Sequence, residues 1–155
     1  MTSDLLTLRV QHEDFNQELE TRALCKGRKD VGAVVAFTGL CRDEGGKLDA
    51  LVLEHYPGMA EAELTRIANK ALEKWSLTGL TVIHRYGEIP PGENIVLVIA
   101  ASSHRRDAFE AADFMMDFLK TNAPFWKKEI PKGGGKGSWV EAKASDQADT
   151  KRWTQ

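Results

Sequence analysis

The feature that most constrains this fold is the apolar run of residues 94–101 (NIVLVIAA), which a long helical pattern over residues 107–122 follows closely. A continuous apolar and β-branched run of this length predicts a buried strand, and we expect it to be central in its sheet. Asp107, with Glu110 three residues later, resembles a capping box, and Pro124 ends the helical pattern. The chain should therefore pack a long helix against a sheet built around this strand.

Further elements surround this pair. Strand patterns occupy residues 5–10, 32–39, 48–56, 80–87, 125–130 and 138–142, and helical patterns occupy residues 13–26 and 60–75. The polar turn at residues 43–47 is typical of a hairpin tip or a mobile loop, with residues 48–56 as the return strand. Strands joined by short turns imply mostly antiparallel pairing with helices packed on one side, which is an α+β fold.

The length of 155 residues fits a single domain over residues 1–155, large enough to bury a core without disulfides or metals. The glycine-rich run KGGGKG predicts a flexible loop over residues 131–137. Residues 144–155 are mostly polar, and we expect them to form a polar tail.

Composition argues against several classes of function. The formal net charge of −2 argues against a general binder of nucleic acid or anionic membranes. No run approaches the roughly 18 apolar residues of a membrane span, and the N-terminus lacks the pattern of a signal peptide. The cysteines, Cys25 and Cys41, and the four histidines have no metal-ligand spacing. We therefore expect a cytoplasmic protein without a metal site, a nucleic-acid partner or a membrane partner.

Two basic positions suit an anion. His104 and Arg105 lie just before the long helix, and helix N-termini attract anions through free N–H groups and the helix dipole. A solvated basic turn is the alternative. Arg42 follows a buried strand at the mouth of a glycine-containing loop, where it could direct a guanidinium at an anion, although a surface arginine would look the same.

Two lysines and one cysteine are candidates for chemistry. Lys120 lies in the last turn of the long helix, where the dipole favours a cation in any case. Lys127 shares a strand face with Phe125 and Glu129, so it could be partly desolvated and act as a general base or nucleophile. Cys41, next to Arg42, is either an activated thiol or an inert buried one.

Five segments resemble one known family. The chain resembles the large, catalytic subunit of molybdopterin synthase, an enzyme of molybdenum-cofactor biosynthesis, over most of its length after residue 30. The matching segments are GAVVAFTGLCR (32–42), LEHYPGMAE (53–61), VIHRYGEI (82–89, with PGE at 91–93), SSHRRDAFEAADFMMDFLKTNAPFWKKE (102–129) and WVEAKASDQADTKRW (139–153).

This resemblance implies a fold, partners and a reaction. The fold would be an α/β-hammerhead, and the assembly would be a homodimer that forms a heterotetramer with a small ubiquitin-like sulfur-carrier subunit. The C-terminal Gly-Gly thiocarboxylate of that carrier would enter the large subunit's pocket. The reaction would convert cyclic pyranopterin monophosphate (precursor Z) into molybdopterin by installing two dithiolene sulfurs. No metal or bound redox cofactor is implied.

The resemblance also assigns residues. Lys120 and Lys127 match the two lysines expected to be essential for catalysis. The substrate-binding positions that it implies are Leu40, Cys41, Arg42, His104, Arg105, Lys128, Glu129 and Lys143. Lys143 stands where an arginine from the neighbouring subunit would complete the pocket, and a lysine keeps the charge but loses the bidentate fork.

The length of the long helix constrains the site, and two other functions are alternatives to the one that the resemblance implies. The two basic ends of the long helix lie ~20 Å apart along its axis, so we expect a site that takes His104 and Arg105 from one subunit and Lys120 and Lys127 from the other. One alternative is a non-catalytic anion- or protein-binding module that uses the same basic pocket. Another is a sulfurtransferase that depends on Cys41.

Overall fold

The computed structural model describes residues 4–122, 124–133, 135, 137–140 and 144–153, and within them the chain forms eight strands and four α-helices. The strands are β1 (Leu6–Gln11), β2 (Ala33–Leu40), β3 (Leu48–His55), β4 (Leu77–Arg85), β5 (Gly87–Ile89), β6 (Asn94–Ser102), β7 (Phe125–Pro131) and β8 (Ser138–Val140). The helices are α1 (Gln17–Cys25), α2 (Met59–Lys74), α3 (Arg105–Asn122) and α4 (Ala144–Lys151).

The first sheet is built around the apolar strand β6. Its strand order is β1-β4-β6-β2, and β6 is antiparallel to both of its neighbours. Only β1, which joins β4 in parallel, departs from antiparallel pairing among the described strands. Side chains on both faces of β6 are buried, as its continuous apolar sequence requires. The predicted central strand and the α+β class are both confirmed.

The second sheet has the order β5-β3-β7-β8 and is antiparallel throughout. Because β2 and β3 belong to different sheets, the hairpin expected around residues 43–47 is wrong. The backbone of Cys41 explains the divergence, since its N–H donates to the carbonyl of Glu93 at 2.8 Å and its carbonyl accepts from the N–H of Gly92 at 2.7 Å. These bonds lead the chain away from β2, and a short 3₁₀ turn at Glu44–Gly46 carries it into the second sheet.

Helices cover both faces of the first sheet, so the expectation of helices on one side is wrong. On one face α1 packs through Leu24 near Ile83, Leu97 and Ile99. On the other face α2 and α3 enclose the main core, where α2 buries a stripe made of Leu64, Ile67, Ala68 and Ala71. The physical reason is that β6 is apolar on both faces, and each face must be removed from water.

The long helix begins earlier than its sequence pattern indicated. α3 starts at Arg105, and the N–H of Ala108 donates to the carbonyl of His104 at 3.4 Å, so the capping box from Asp107 to Glu110 is wrong. Glu110 instead accepts a hydrogen bond from Nε1 of Trp75 at 2.9 Å. A buried indole N–H needs an acceptor, and this tertiary contact decides where Glu110 points.

Within the polar tail expected at residues 144–155, the chain forms α4 and packs it on α3. The Asp117 carboxylate accepts hydrogen bonds from Arg152 at 2.7 Å and from Nε1 of Trp153 at 2.5 Å. The Trp153 ring meets Trp75 at a centroid distance of 5.6 Å. These anchors order a segment whose own composition predicts little structure.

Candidate active site

Two basic positions of the predicted site lie at the end of α3 and on the following strand. Lys120 is exposed in the last turn of α3, and after Pro124 the chain enters β7 at Phe125. The Lys127 side chain is half-buried. The structure therefore places Lys120 in the last helical turn and Lys127 on the following strand, as the sequence pattern predicted, and this short segment links the helix to the second sheet.

Strand β7 separates Lys127 from Lys128. Lys127 is paired with Leu53 and Lys128 with Val52, and successive residues of a strand point to opposite faces. We call the face that carries Leu53, Phe125, Lys127 and Glu129 the Lys127 face. Lys128 lies on the other side, where its ammonium stands 5.6 Å from the centroid of the Trp139 ring. The two neighbouring lysines therefore meet different surroundings.

The face opposite Lys127 is aromatic and open. Tyr56 and Trp126 meet edge to face with centroids 5.3 Å apart, and with Trp139 they line a groove of about 350 Å³. All three side chains are about half exposed or more. Lys128 therefore belongs to an aromatic surface rather than to the surroundings of Lys127.

Cys41 is packed against the Lys127 face. Its side chain is 3% exposed and lies in a small apolar cluster with Leu53 and Ile89. Burial raises the pKa of the Cys41 thiol, and the carboxylates of Asp43 and Glu129 raise it further, against the lowering effect of a hydrogen bond from the backbone of Leu51. The thiol is therefore protonated at neutral pH and shielded from reagents, which argues against an activated nucleophile.

The buried Cys41 fixes the residues on either side of it. Leu40, before Cys41, ends β2 and is 53% exposed. Arg42, after Cys41, is also exposed. Because Cys41 is held by two backbone hydrogen bonds and an apolar cluster, Arg42 is carried at a fixed point beside the second sheet. The expectation that Arg42 follows a buried strand is wrong, because β2 lies at the edge of its sheet and has no buried residue. The binding of an anion by Arg42 stays a prediction.

His104 and Arg105 lie at the opposite end of α3. Both side chains are exposed at the helix start, and the N–H of His104 donates to Oγ of Ser102 at 3.2 Å. Gly32 allows the close backbone approach here, since a Cβ at that position would lie 2.2 Å from the carbonyl oxygen of Ser103. Within one subunit, Arg105 and Lys120 lie 15 residues apart on α3, which separates them by about 22 Å along the helix axis.

One predicted site residue lies outside the described residues. This residue is Lys143, and the structure says nothing of its position. Of the loop expected at residues 131–137, Pro131 belongs to β7, and the N–H of Lys132 donates to the carbonyl of Lys47 at 2.9 Å. Residues 134 and 136 fall outside the description, and flexibility of this loop stays a prediction.

Sequence reasoning missed a group of rings behind Lys127. His84 is 4% exposed and stacks on Phe125 with centroids 3.8 Å apart and an interplanar angle of 11°. Phe125 also meets His55, and His55 meets Tyr86 at 4.3 Å. The run HRYG at the end of β4 was the available signal, because a histidine and an arginine that close an apolar strand are unusual in a core.

Arg85 is the second missed residue, and it braces the loop that holds Cys41. Its side chain is 5% exposed, with Nε donating to the carbonyl of His12 at 3.0 Å and Nη1 donating to the carbonyl of Asn94 at 2.8 Å. Burying a guanidinium is costly unless its donors are satisfied.

Among the described residues, no group of three or more His, Cys, Asp or Glu side chains could hold a metal ion, and no helix has the length and apolar character to cross a membrane.

The chain resembles known proteins over nearly its whole length. The molybdopterin synthase catalytic subunit of Mesorhizobium japonicum is 65% identical over 147 residues, which cover 95% of this chain and 92% of the relative. That of Brucella melitensis is 60% identical over 148 residues, covering 96% and 91%. The solved structure of the molybdopterin biosynthesis MoaE protein from Burkholderia ambifaria aligns with a TM-score of 0.82 at 41% identity, covering 97% of this chain and 99% of that one. The family profile described as MoaE protein matches residues 10–122, and the chain therefore belongs to the MoaE family.

Proposed function

We infer that this protein is the catalytic subunit of molybdopterin synthase, a sulfurtransferase of molybdenum-cofactor biosynthesis. The observation that carries the inference is the 65% identity to a molybdopterin synthase catalytic subunit across almost the entire length of both chains. The basic groups around α3 and β7 support it, because they suit a reaction between two anions. A catalytic subunit also implies a further subunit, which we take to be a small sulfur carrier.

The chemistry of the two reactants fits the charges of this surface. Precursor Z is a cyclic phosphate ester, and the carrier tail ends in an anionic thiocarboxylate. Arg42, His104, Arg105, Lys120 and Lys127 supply cationic or hydrogen-bonding groups for both. In each transfer a carbon–sulfur bond of the carrier breaks and a carbon–sulfur bond to the pterin forms in place of a carbon–oxygen bond of the pterin side chain. The displaced oxygen leaves as water or stays on the phosphate, and water returns the carrier's terminal carbon to a carboxylate.

The two lysines have different proposed roles. Lys120, exposed at the end of α3, holds the terminal carbonyl of the carrier and stabilises negative charge as sulfur leaves. Lys127, half-buried on β7, positions the pterin and assists proton transfer. Glu129, on the same strand face, and Lys128 remain proposed substrate-binding positions, with Lys128 on the far side of the sheet.

Sulfur comes from the carrier in this proposal, so no protein thiol is needed. The buried position of Cys41, together with its raised pKa, supports this assignment over a sulfurtransferase that depends on Cys41. We retain Cys41 as a residue that shapes the pocket through its backbone and its packing. A cytoplasmic location fits a pathway of small-molecule biosynthesis and stays part of the proposal.

The decisive experiment combines the purified protein with thiocarboxylated carrier and precursor Z and measures molybdopterin. We expect wild-type protein to form product, Lys120→Ala to abolish it, and Cys41→Ser to retain it. Wild-type turnover in the double variant Lys120→Ala, Lys127→Ala would favour the non-catalytic binding module. Loss of activity in Cys41→Ser with an intact fold would favour the cysteine-dependent enzyme.

Mixing two inactive variants tests whether the site is shared in a homodimer. In a shared site, a hybrid of His104→Ala and Lys127→Ala chains keeps one site in which all four basic residues are present. Unfolding and refolding the two variants together should therefore recover activity. If all four residues served the same subunit, every site in the hybrid would stay defective and no activity would return.

A further inference from the structure

Four rings connect the two sheets at the start of β7. His84 of β4 stacks on Phe125 at 3.8 Å, Phe125 meets His55 of β3 at 5.8 Å, and His55 meets Tyr86 at 4.3 Å. We call His84, Phe125, His55 and Tyr86 the ring column. It joins the end of β4 in the first sheet to β3 and β7 in the second, so it fixes how the sheets meet at this point.

His84 is held rigidly within this column. Its ring is 4% exposed, and Nδ1 donates to the carbonyl of Arg85 at 2.8 Å. A carbonyl oxygen only accepts, so Nδ1 carries the proton. The hydrogen bond and the near-parallel stack on Phe125, at an interplanar angle of 11°, together leave the ring little freedom to turn.

Phe125 lies between the two lysines of the proposed site. It is the first residue of β7, five positions after Lys120, and it shares the Lys127 face with Lys127 two positions later. Because the chain from Lys120 to Lys127 changes from helix to strand here, the placement of Phe125 sets the relation between the two amines. A contact that fixes the position of Phe125 therefore also fixes the position of Lys127 relative to Lys120.

The charges around His84 favour an uncharged ring. Burial, together with the charges of Lys127 of β7 and His55 of β3, lowers the pKa of His84 to about 4 against the raising effect of the Arg85 carbonyl. His84 is therefore neutral at physiological pH. A neutral ring can stand close to the Lys127 ammonium without the repulsion that a second cation would bring.

We propose that His84 is a positioning residue of the active site, which acts by stacking on Phe125 and thereby fixing Lys127 relative to Lys120. This inference rests on the proposed function, because it gives the two lysines their importance. A purely structural His84 would contribute to stability and leave turnover by the folded enzyme unchanged. A positioning residue must instead change turnover, because reacting groups displaced by about 1 Å lose much of their effect.

The test compares two substitutions of His84 with a buried control. His84→Phe keeps a planar ring for the stack on Phe125, whereas His84→Leu keeps an apolar side chain but removes the ring. Ile83→Ala is the control, because Ile83 is fully buried but points to the opposite face of β4, towards Leu97 and Ile99. All three proteins are assayed with thiocarboxylated carrier and precursor Z, and the rates are divided by the folded fraction from circular dichroism.

We expect His84→Leu to lower kcat by roughly 10- to 100-fold with little change in KM for precursor Z. His84→Phe should recover most of that loss, and Ile83→Ala should lower Tm while its kcat stays close to wild type. Hydrogen–deuterium exchange should show faster exchange of the β7 amides in His84→Leu than in the other two variants. This second measurement does not depend on activity.

Three outcomes would overturn the inference. Wild-type kcat in His84→Leu would leave the ring without a role in turnover. A loss of kcat with unchanged exchange in β7, or an equal loss in Ile83→Ala, would point to a general effect of destabilisation. Failure of the proposed function would give a different result from failure of this inference. Wild-type protein would then form no molybdopterin, or Lys127→Ala would be fully active.

Discussion

Lys127 and Lys128 are adjacent in the chain, yet β7 turns their side chains to opposite faces of the second sheet. Lys127 pairs with Leu53 and acts electrostatically on the buried His84. Lys128 pairs with Val52 on one side and Trp139 on the other, and its ammonium lies over the Trp139 ring. Substitutions of these two lysines should therefore have separable effects on turnover and on stability.

Substitution of these two lysines should give contrasting results. Lys127→Ala should lower the rate of molybdopterin formation by about 100-fold or more, because it removes a cation that acts on the reacting groups. Lys128→Ala should lower the free energy of unfolding by only about 0.5–1 kcal/mol, the size of an exposed cation–π contact, with a much smaller effect on the rate. Single-turnover assays and urea unfolding measure the two quantities. Equal loss of rate in both variants would contradict this division.

The two cysteines should differ in reactivity. Cys41 is buried and its thiol pKa is raised, first by burial, whereas Cys25 is partly exposed. Iodoacetamide should therefore alkylate Cys25 well before Cys41 in the native protein, because reaction requires an accessible thiolate. Mass spectrometry of peptides after timed quenching gives both rates. Preferential alkylation of Cys41 would contradict its buried position, and denaturation in urea should remove the difference.

Stability should fall between neutral pH and about pH 4 because of His84. The unfolded chain protonates His84 near its ordinary pKa of 6.5, whereas burial lowers the pKa to about 4 in the folded protein. Between these values the unfolded state binds more protons, so the free energy of unfolding decreases as the pH is lowered and this contribution levels off below about pH 4. The gap corresponds to roughly 3 kcal/mol.

The measurement for this pH effect is urea unfolding from pH 7 to pH 4, with His84→Phe as the control. Phenylalanine cannot be protonated, so the control should lose less stability over the same range. Lys127, His55 and Arg85 act on His84 and are present in both proteins, so their own contributions cancel in the comparison. An identical slope in the two proteins would mean that His84 does not have the lowered pKa.

Asp117 should matter more for stability than Asp113, although both bind Arg152. The Asp117 side chain is 11% exposed and accepts from both Arg152 and Nε1 of Trp153, whereas the Asp113 side chain is 54% exposed. Asp117→Ala should cost about 1–3 kcal/mol because it leaves the partly buried indole N–H of Trp153 without its acceptor. Asp113→Ala should cost less than about 1 kcal/mol, as is usual for an exposed ion pair. Urea unfolding of both variants distinguishes the two sizes.

The sequence by itself determined the elements with strong periodicity. The apolar run of β6, the buried stripe of α2 and the helix that ends before Pro124 were all predictable, because burial and backbone geometry act there over many residues. The same patterns placed Lys120 in the last turn of a helix and Lys127 on a strand, whereas their catalytic role came from the family resemblance and stays a prediction. Membership of the MoaE family followed from specific motifs such as HYPGM and KTNAPFWKKE.

Only the tertiary structure decided which elements meet. The turn after β2 has the composition of a hairpin, but hydrogen bonds between Cys41 and residues 92–93 send the chain into a second sheet. The residues 144–155 appear polar in sequence, yet Trp153 and Arg152 anchor a helix through Asp117. The stack of His84 on Phe125 joins residues 41 positions apart. Such contacts lie between distant segments, and no local pattern of propensity or polarity encodes them.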